Sequence, residues 1–410
     1  MSEIVNFDFD SKETSIIKVA GVGGAGCNAV NHMFSEGIQG VTFLQCNTDA
    51  QVLKTSPVPL KVQLGVTLTG GRGAGNQPEQ GEQAAIENLE DLRKILEGTT
   101  KMLFITAGMG GGTGTGAAPV IAKLSKELGI LTIAVVTIPS PSEGKRRFNQ
   151  ALAGVEKMKE YIDSLLVINN EKLHKIYGNL PASQAFKKAD DIIGTAVKGV
   201  SEIITLHGNI NIDFADVQTV MSGSHVFIMG TGIAEGENRA MEAVTEALEY
   251  PLLDSSDILG AKDILLNIIS GDDEVKMGEI GDIIERLQDK AGQEANIIWG
   301  NGIDKLLGDK IRVTIIVTRF EKNTNHLLQG KVKSKKFELE SEYDGMNINL
   351  EEEEGEEDNP NSVIYNEKIT DIKKEKQNKK EKREPDQESE KESEDIENWF
   401  QRQFNRMFDD

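Results

Sequence analysis

The stretch Gly108-Met-Gly-Gly-Gly-Thr-Gly-Thr-Gly116 follows the apolar run Met102–Ala107 and precedes a helical pattern that opens near Ala117. A run this rich in glycine has no side chains with which to fill a core. Its physical use is to bring many backbone N–H groups against a phosphate chain at a helix N-terminus, with the hydroxyls of Thr113 and Thr115 beside them.

Two further glycine clusters bear on that reading. Gly21-Val-Gly-Gly-Ala-Gly-Cys-Asn28 also lies between a strand and a helix. Its Gly21, Gly23 and Gly26 match G-x-G-x-x-G, and Asp49 stands beyond the next strand, so the pattern alone is that of a dinucleotide site. A dehydrogenase, however, has no need of two such clusters. Gly70-Gly-Arg-Gly-Ala-Gly75 is a third, suited to capping a terminal phosphate. No G-x-x-x-x-G-K-[ST] occurs in the sequence, which excludes a P-loop. Three glycine loops at the ends of parallel strands imply one extended triphosphate cradle. Cys27, within the first loop, reads as a small packed residue rather than a reactive thiol.

Outward from these loops, apolar runs at Ile16–Ala20, Val41–Cys46, Met102–Ala107, Leu131–Ile138 and Leu165–Ile168 alternate with helical patterns, among them Gln80–Leu96 and Ala117–Leu128. The alternation predicts an α/β domain, a parallel sheet with helices on both faces. A long helix is expected from Ala182 to Leu206, where Ala189, Ile192, Ile193, Ala196, Val197, Val200 and Ile203 keep a three-four spacing that Gly194 and Gly199 weaken. A second α/β unit follows to about 320, with strands at Ser224–Met229, Asp263–Ser270 and Ile311–Thr318 and helices at Glu237–Leu248 and Lys276–Lys290.

The net charge of -22 over 410 residues argues against a nucleic-acid backbone as partner, though not against a single nucleotide held by backbone amides. The acidic N-terminus is no signal peptide, and no apolar stretch approaches the ~20 residues of a membrane span. Two cysteines, Cys27 and Cys46, suit a reducing cytosol.

Gly110–Gly116 is the signature of the tubulin/FtsZ family, and residues 15–320 resemble FtsZ. Asn47-Thr48-Asp49, Glu143-Gly-Lys-Arg-Arg147, Asn170, Phe186 with Asp190, and Asn211-Ile-Asp213-Phe-Ala-Asp216 carry the likeness further. Ala25, Cys27 and Asn209 depart from it slightly. The resemblance implies a tubulin-like fold: a Rossmann-type GTP-binding domain at 15–181, a central helix at 182–210 and an α/β domain at 211–320. It implies GTP/GDP as ligand, with Mg²⁺ carried by phosphates and water. The GTP-binding residues would be Gly24, Ala25, Gly26, Cys27, Asn28, Asp49, Gly73, Ala74, Gly75, Gly110, Gly111, Gly112, Thr113, Gly114 and Thr115. Glu143 and Arg147 would contact ribose and phosphates, Asn170 and Phe186 the base. Asp190 would accept from guanine N1–H and the 2-amino group, which adenine cannot offer. Taken singly, Phe186 reads equally as core, Asp190 as a solvated charge and Asn170 as a turn residue; their company with the glycine loops lifts them.

Asn211, Asp213 and Asp216 are the catalytic set that the resemblance implies. A helix rising ~1.5 Å per residue puts ~30 Å between Asp190 and Asp213, so the acids must act on the nucleotide of a neighbouring subunit. Such a head-to-tail contact generates filaments, and hydrolysis would depend on assembly. On pattern alone Asp213 also reads as a helix N-cap. The alternatives are a filament for plasmid or shape control, a GTP-binding filament without turnover, and an NAD-dependent oxidoreductase.

Residues 1–14 read as a polar arm and 321–394 as a disordered charged linker, poor in apolar residues. In Asp395–Asp410, Ile396, Trp399, Phe400, Phe404, Met407 and Phe408 return at helical spacing. This resembles the FtsZ tail that docks on membrane-tethering division adaptors, with Glu397 where proline is usual. The resemblance places the protein in the cytoplasm, at the mid-cell division ring.

Overall fold

The computed structural model describes residues 15–206, 208–249 and 258–320. The expected arm, linker and tail peptide lie outside these residues.

The first half runs β1 (Ile17–Val22), α1 (Gly23–Ser35), β2 (Thr42–Asn47), α2 (Ala50–Thr55), β3 (Leu60–Gln63), α3 (Val66–Thr69), α4 (Pro78–Glu87), α5 (Leu89–Leu96) and β4 (Met102–Gly108). It continues with α6 (Thr113–Glu127), β5 (Leu131–Ile138), α7 (Lys145–Lys159), β6 (Ser164–Asn169) and α8 (Asn170–Tyr177). The long helix α9 (Ala182–Thr205) leads to α10 (Phe214–Met221), β7 (His225–Ala234), α11 (Arg239–Leu248), β8 (Ala261–Ser270), α12 (Met277–Ala291), β9 (Asn296–Ile303) and β10 (Ile311–Phe320).

All the strands join one sheet in the order β3-β2-β1-β4-β5-β6-β7-β10-β8-β9. The first six are parallel neighbours; β10 runs antiparallel to β7 and β8. The halves meet in a short parallel pairing, Ser164 with His225 and Leu165 with Val226. In β4, Met102 and Phe104 enter one core layer while Leu103, Ile105 and Ala107 enter the other, the period-two pattern of a strand buried on both faces. The helix α9 belongs to the first layer, and its Ile192, Ile193, Val197 and Val200 share a cluster with Phe104 of β4 and with Phe227 and Ile316 of the second half. Gly199, which weakens the helix in isolation, has a packing reason: a Cβ there would stand 2.3 Å from Met229 Cε on β7.

Several boundaries differ from the sequence expectation. The helix expected over Gln80–Leu96 is two, broken at Asn88, whose Oδ1 accepts from Gly65 N at 2.9 Å. The helix expected from Ala117 begins at Thr113, inside the glycine run. Strand β9, NIIWGNGI, is one that the sequence expectation does not include, and its Gly300 and Gly302 are residues that weaken a strand pattern. The fold needs Gly300: a Cβ would lie 2.9 Å from the carbonyl oxygen of Ile210.

Candidate functional site

The order β3-β2-β1-β4-β5-β6 reverses direction between β1 and β4, and at such a switch point the loops beyond the strand ends part to leave a crevice. Those loops are the first two glycine clusters. They pack backbone on backbone: a Cβ on Gly23, at φ +72°, would lie 2.8 Å from Gly114 N, and one on Gly114 would lie 2.6 Å from Gly108 O. Thr48 at the end of β2 is tied to Thr113 through their hydroxyls at 2.7 Å.

The crevice is a cleft of about 470 Å³. Gly24, Ala25 and Asn28 of α1 line it, with Gly111, Gly112, Thr113 and Gly114 of the second loop and Ala74 of the third. Glu143 and Arg147 contribute from the turn after β5 and the start of α7, Asn170 from α8, and Phe186 and Asp190 from α9. Residues that sequence reasoning did not select also face it: Asn76, Thr106, Met109, Thr137, Pro139, Ala189 and Ile193. Only the strand-end positions of Thr106 and Thr137 hinted at them.

Other expected residues shape the cleft without lining it. Gly26 lets α1 approach β4, since its Cβ would meet Thr106 O at 2.3 Å. Cys27 is fully buried, its Sγ 3.7 Å from Gly21 O, and burial pushes the thiol up to about 12, so it is a packed residue. Thr115 accepts from Gly110 N at 2.8 Å, closing the second loop on itself. Asp49 caps α2 by accepting from Gln51 N at 2.8 Å, and its backbone pairs with Arg72. Gly73 and Gly75, at φ +87° and +56°, turn the third loop so that Ala74 reaches the cleft.

The polar end of the cleft is preorganised. Glu143 Oε1 accepts from Ser140 N at 3.0 Å and from Asn170 Nδ2 at 3.2 Å. Asn170 Oδ1 is buried and has no donor among the described residues, which suits a ligand N–H or O–H. Phe186 exposes about half its surface, a flat apolar face at the cleft wall. Burial, with the Asp191 carboxylate beside it, raises the Asp190 carboxyl to about 7. A ligand presenting two N–H donors to Asp190 would favour the ionised form.

Asn211, Asp213 and Asp216 do not line this cleft. They follow α9 at its far end: between Asp190 and Thr205 the helix rises ~22 Å. Asp213 and Asp216 form a reciprocal N-terminal cap on α10, Asp216 N donating to Asp213 at 2.9 Å and Asp213 N to Asp216 at 3.1 Å. Asn211 accepts from Gly208 N at 2.7 Å. Asn211 and Asp213 are exposed and Asp216 is half-buried.

Residues 16–178 match the family model of the Tubulin/FtsZ GTPase domain, and residues 226–321 match the FtsZ C-terminal domain. A cell division protein FtsZ from Porphyromonas gingivalis is 43% identical over 360 residues, 85% of this chain and 79% of the relative. The chain belongs to the FtsZ family. Another FtsZ, from Pseudomonas aeruginosa, is 48% identical over 307 residues, 75% of this chain and 77% of its own. Among solved structures, an empty FtsZ dimer from M. jannaschii superposes with a TM-score of 0.69 at 43% identity, covering 75% of this chain and 88% of that one. The fold extends to CetZ2 from Haloferax volcanii, a GTPγS-bound protofilament, at a TM-score of 0.63 and 19% identity, covering 76% and 96%. As an FtsZ, the chain is a tubulin-like GTPase of cell division that works as filaments.

Proposed function

We propose that the cleft holds GTP, guanine against Phe186 and Asp190 and triphosphate against the glycine loops, and that Asn211, Asp213 and Asp216 of the next chain in a head-to-tail filament complete hydrolysis. The observation that carries this reading is the position of the acidic loop, exposed at the end of α9 opposite the cleft. In the filament, Asp213 and Asp216 orient and polarise a water for attack on the γ-phosphorus, and the bond to the β–γ bridging oxygen breaks to release GDP. The loop amides around Gly111–Gly114 bear the charge that develops on the phosphate oxygens. Magnesium, supplying charge neutralisation, would ride mainly on the phosphates and water.

GTPase activity against protein concentration tests the shared site. Activity per molecule should rise cooperatively above a threshold. Wild-type chain held below that threshold should be switched on by adding inactive Asp213→Ala chain, because each wild-type loop then meets a filled cleft. Constant activity per molecule on dilution, or no response to the added variant, would refute the shared site.

In this reading the filament lies in the cytoplasm at the mid-cell ring, and Asp395–Asp410 docks on a membrane-tethering adaptor at the end of the 321–394 linker. No helix among the described residues is long and apolar enough to cross a membrane. The apolar spacing of Trp399, Phe400, Phe404 and Phe408 supports a groove-bound helix, and the acids around Arg402 and Arg406 disfavour an anionic leaflet.

A further inference from the structure

Two helices carry the two halves of the nucleotide reading. The first, α1, begins at Gly23 in a glycine loop and presents Asn28 to the cleft; His32 lies one turn further along the same face. The second, α9, presents Phe186 and Asp190. They are tied beside the cleft. His32 Nε2 stands 2.8 Å from Asp191 Oδ1, and Lys188 Nζ stands 3.3 Å from Asp191 Oδ2. Both partners of the His32–Asp191 pair are largely withdrawn from solvent, at 16% and 22% exposure. One turn on, a Cβ at Gly194 would touch Met33 Cγ at 3.4 Å, so the helices are close there.

We propose that Asp191 is a positioning residue for guanine recognition: gripped by His32 from α1 and by Lys188 from its own helix, it sets the seat of Asp190 relative to the phosphate-binding end of α1. The inference rests on the guanine reading of the cleft. Asp191 does not line the cleft, and it acts through its neighbour in two ways. Its ion pairs hold α9 in register against α1. Its negative charge, screened in part by the contacts from the His32 imidazole and the Lys188 ammonium, opposes ionisation of Asp190, which is raised by burial first and by Asp191 second. Tyr177 from α8 is itself raised by burial first and by Asp191 second, and Glu143 and Arg147 line the same cleft as Asp190. The base-reading carboxylate is thereby coupled to the helix that carries the phosphate loop.

Because guanine donates two N–H groups, it binds the ionised Asp190. Wild-type affinity for GDP should fall as pH drops below about 7, and the two partners of the pair should move that fall in opposite directions. Asp191→Asn removes a like charge, so the fall should shift to lower pH. A carboxyl titrating near 7 is about one-tenth ionised at pH 6, so any lowering of it by Asp191→Asn raises that fraction, by up to about fivefold per unit, and shows as a smaller loss of GDP affinity at pH 6 relative to the same variant at pH 8.5. His32→Ala removes the imidazole that stands 2.8 Å from Asp191 Oδ1 and leaves that carboxylate less screened, so the fall should shift to higher pH. Loss of the tie between α1 and α9 alone would weaken both variants alike at every pH without moving the profile, so it is the opposite shifts of the profiles that read the coupling to Asp190.

The test is calorimetric titration of the full chain with GDP, which undergoes no turnover, from pH 6 to 8.5, for wild type, Asp191→Asn and His32→Ala, with ADP as the control base. The phosphate titration of the ligand is common to all three, so differences between the profiles belong to the protein. Opposite shifts establish the role. Profiles that superimpose on wild type, or both variants shifting the same way, overturn it. If wild type binds ADP as tightly as GDP, the guanine reading fails and this inference with it. A preference for GDP with unmoved profiles removes only the role of Asp191.

Discussion

Asp213 carries two roles that can be separated by the choice of replacement. Structurally it is the N-cap of α10, at φ -87° and ψ 172°, with Asp216 N donating to its Oδ1 at 2.9 Å. In the proposed mechanism its charge serves the nucleotide of a neighbouring chain. Asp213→Ala removes the cap acceptor and should cost about 1–2 kcal/mol of stability, a few degrees at most in Tm for a domain of this size. Asp213→Asn keeps an acceptor for Asp216 N and surrenders only the charge at the helix N-terminus, about 0.3–1 kcal/mol. If the carboxylate is catalytic, both variants should lose hydrolysis by about a hundredfold or more while only the Ala variant loses appreciable stability. Phosphate release above the assembly threshold, alongside thermal unfolding, reads the two effects separately. An Asn variant hydrolysing at the wild-type rate would show that Asp213 is a cap and nothing else. Loss of GTP binding by the monomeric Ala variant would place the loop in its own chain's site.

Asp190→Ala should keep the phosphate contacts and lose discrimination for guanine, read as GDP against ADP affinity; an unchanged preference would contradict the base assignment. Asp190 also makes a stability prediction. Its carboxyl titrates near 7 in the folded chain against 3.8 ordinarily, so between these values the native state holds the extra proton and this group lowers stability as pH rises. Asp190→Asn should therefore match wild type near pH 4 and exceed it at pH 8, by on the order of a few kcal/mol, in urea unfolding; equal midpoints at pH 8 would refute the raised value. Gly114→Ala, whose Cβ would stand 2.6 Å from Gly108 O, should abolish nucleotide binding, whereas a Cβ on Gly111 meets nothing within 4 Å and Gly111→Ala should leave Tm within about a degree. Truncation after Ser393 should leave filaments and GTPase intact and abolish recruitment to the division site; normal placement of the truncated chain, or tight binding of the isolated peptide to protein-free anionic vesicles, would count against protein docking.

The local chemistry of this chain was written in its residues. Glycine runs after apolar strands can be little other than backbone cradles, and the three-four spacing of α9 needs no partner to be read as a buried helix stripe. The parallel half of the sheet followed from the strand–helix alternation. The edge strand β3 and the glycine-bearing β9 stayed hidden, because four residues give too little periodicity and Gly300 is explained only by the Ile210 carbonyl pressed against it. Tertiary structure likewise decided which glycines face the cleft and which merely let helices close on strands. Gly26 belongs to the G-x-G-x-x-G pattern and Gly24 does not, yet it is Gly24 that lines the cleft, while Gly26 abuts Thr106. Asp49, expected among the GTP-binding residues, has its carboxylate on the N-terminus of α2, a contact that the motif does not reveal. The pairing of His32 with Asp191 was beyond any sequence pattern, since it depends on how two helices far apart in the chain lie on one face of the sheet. Spacing along a helix dictates which residues share its face, but what that face meets is set by the packing of elements that the chain brings together only when it folds.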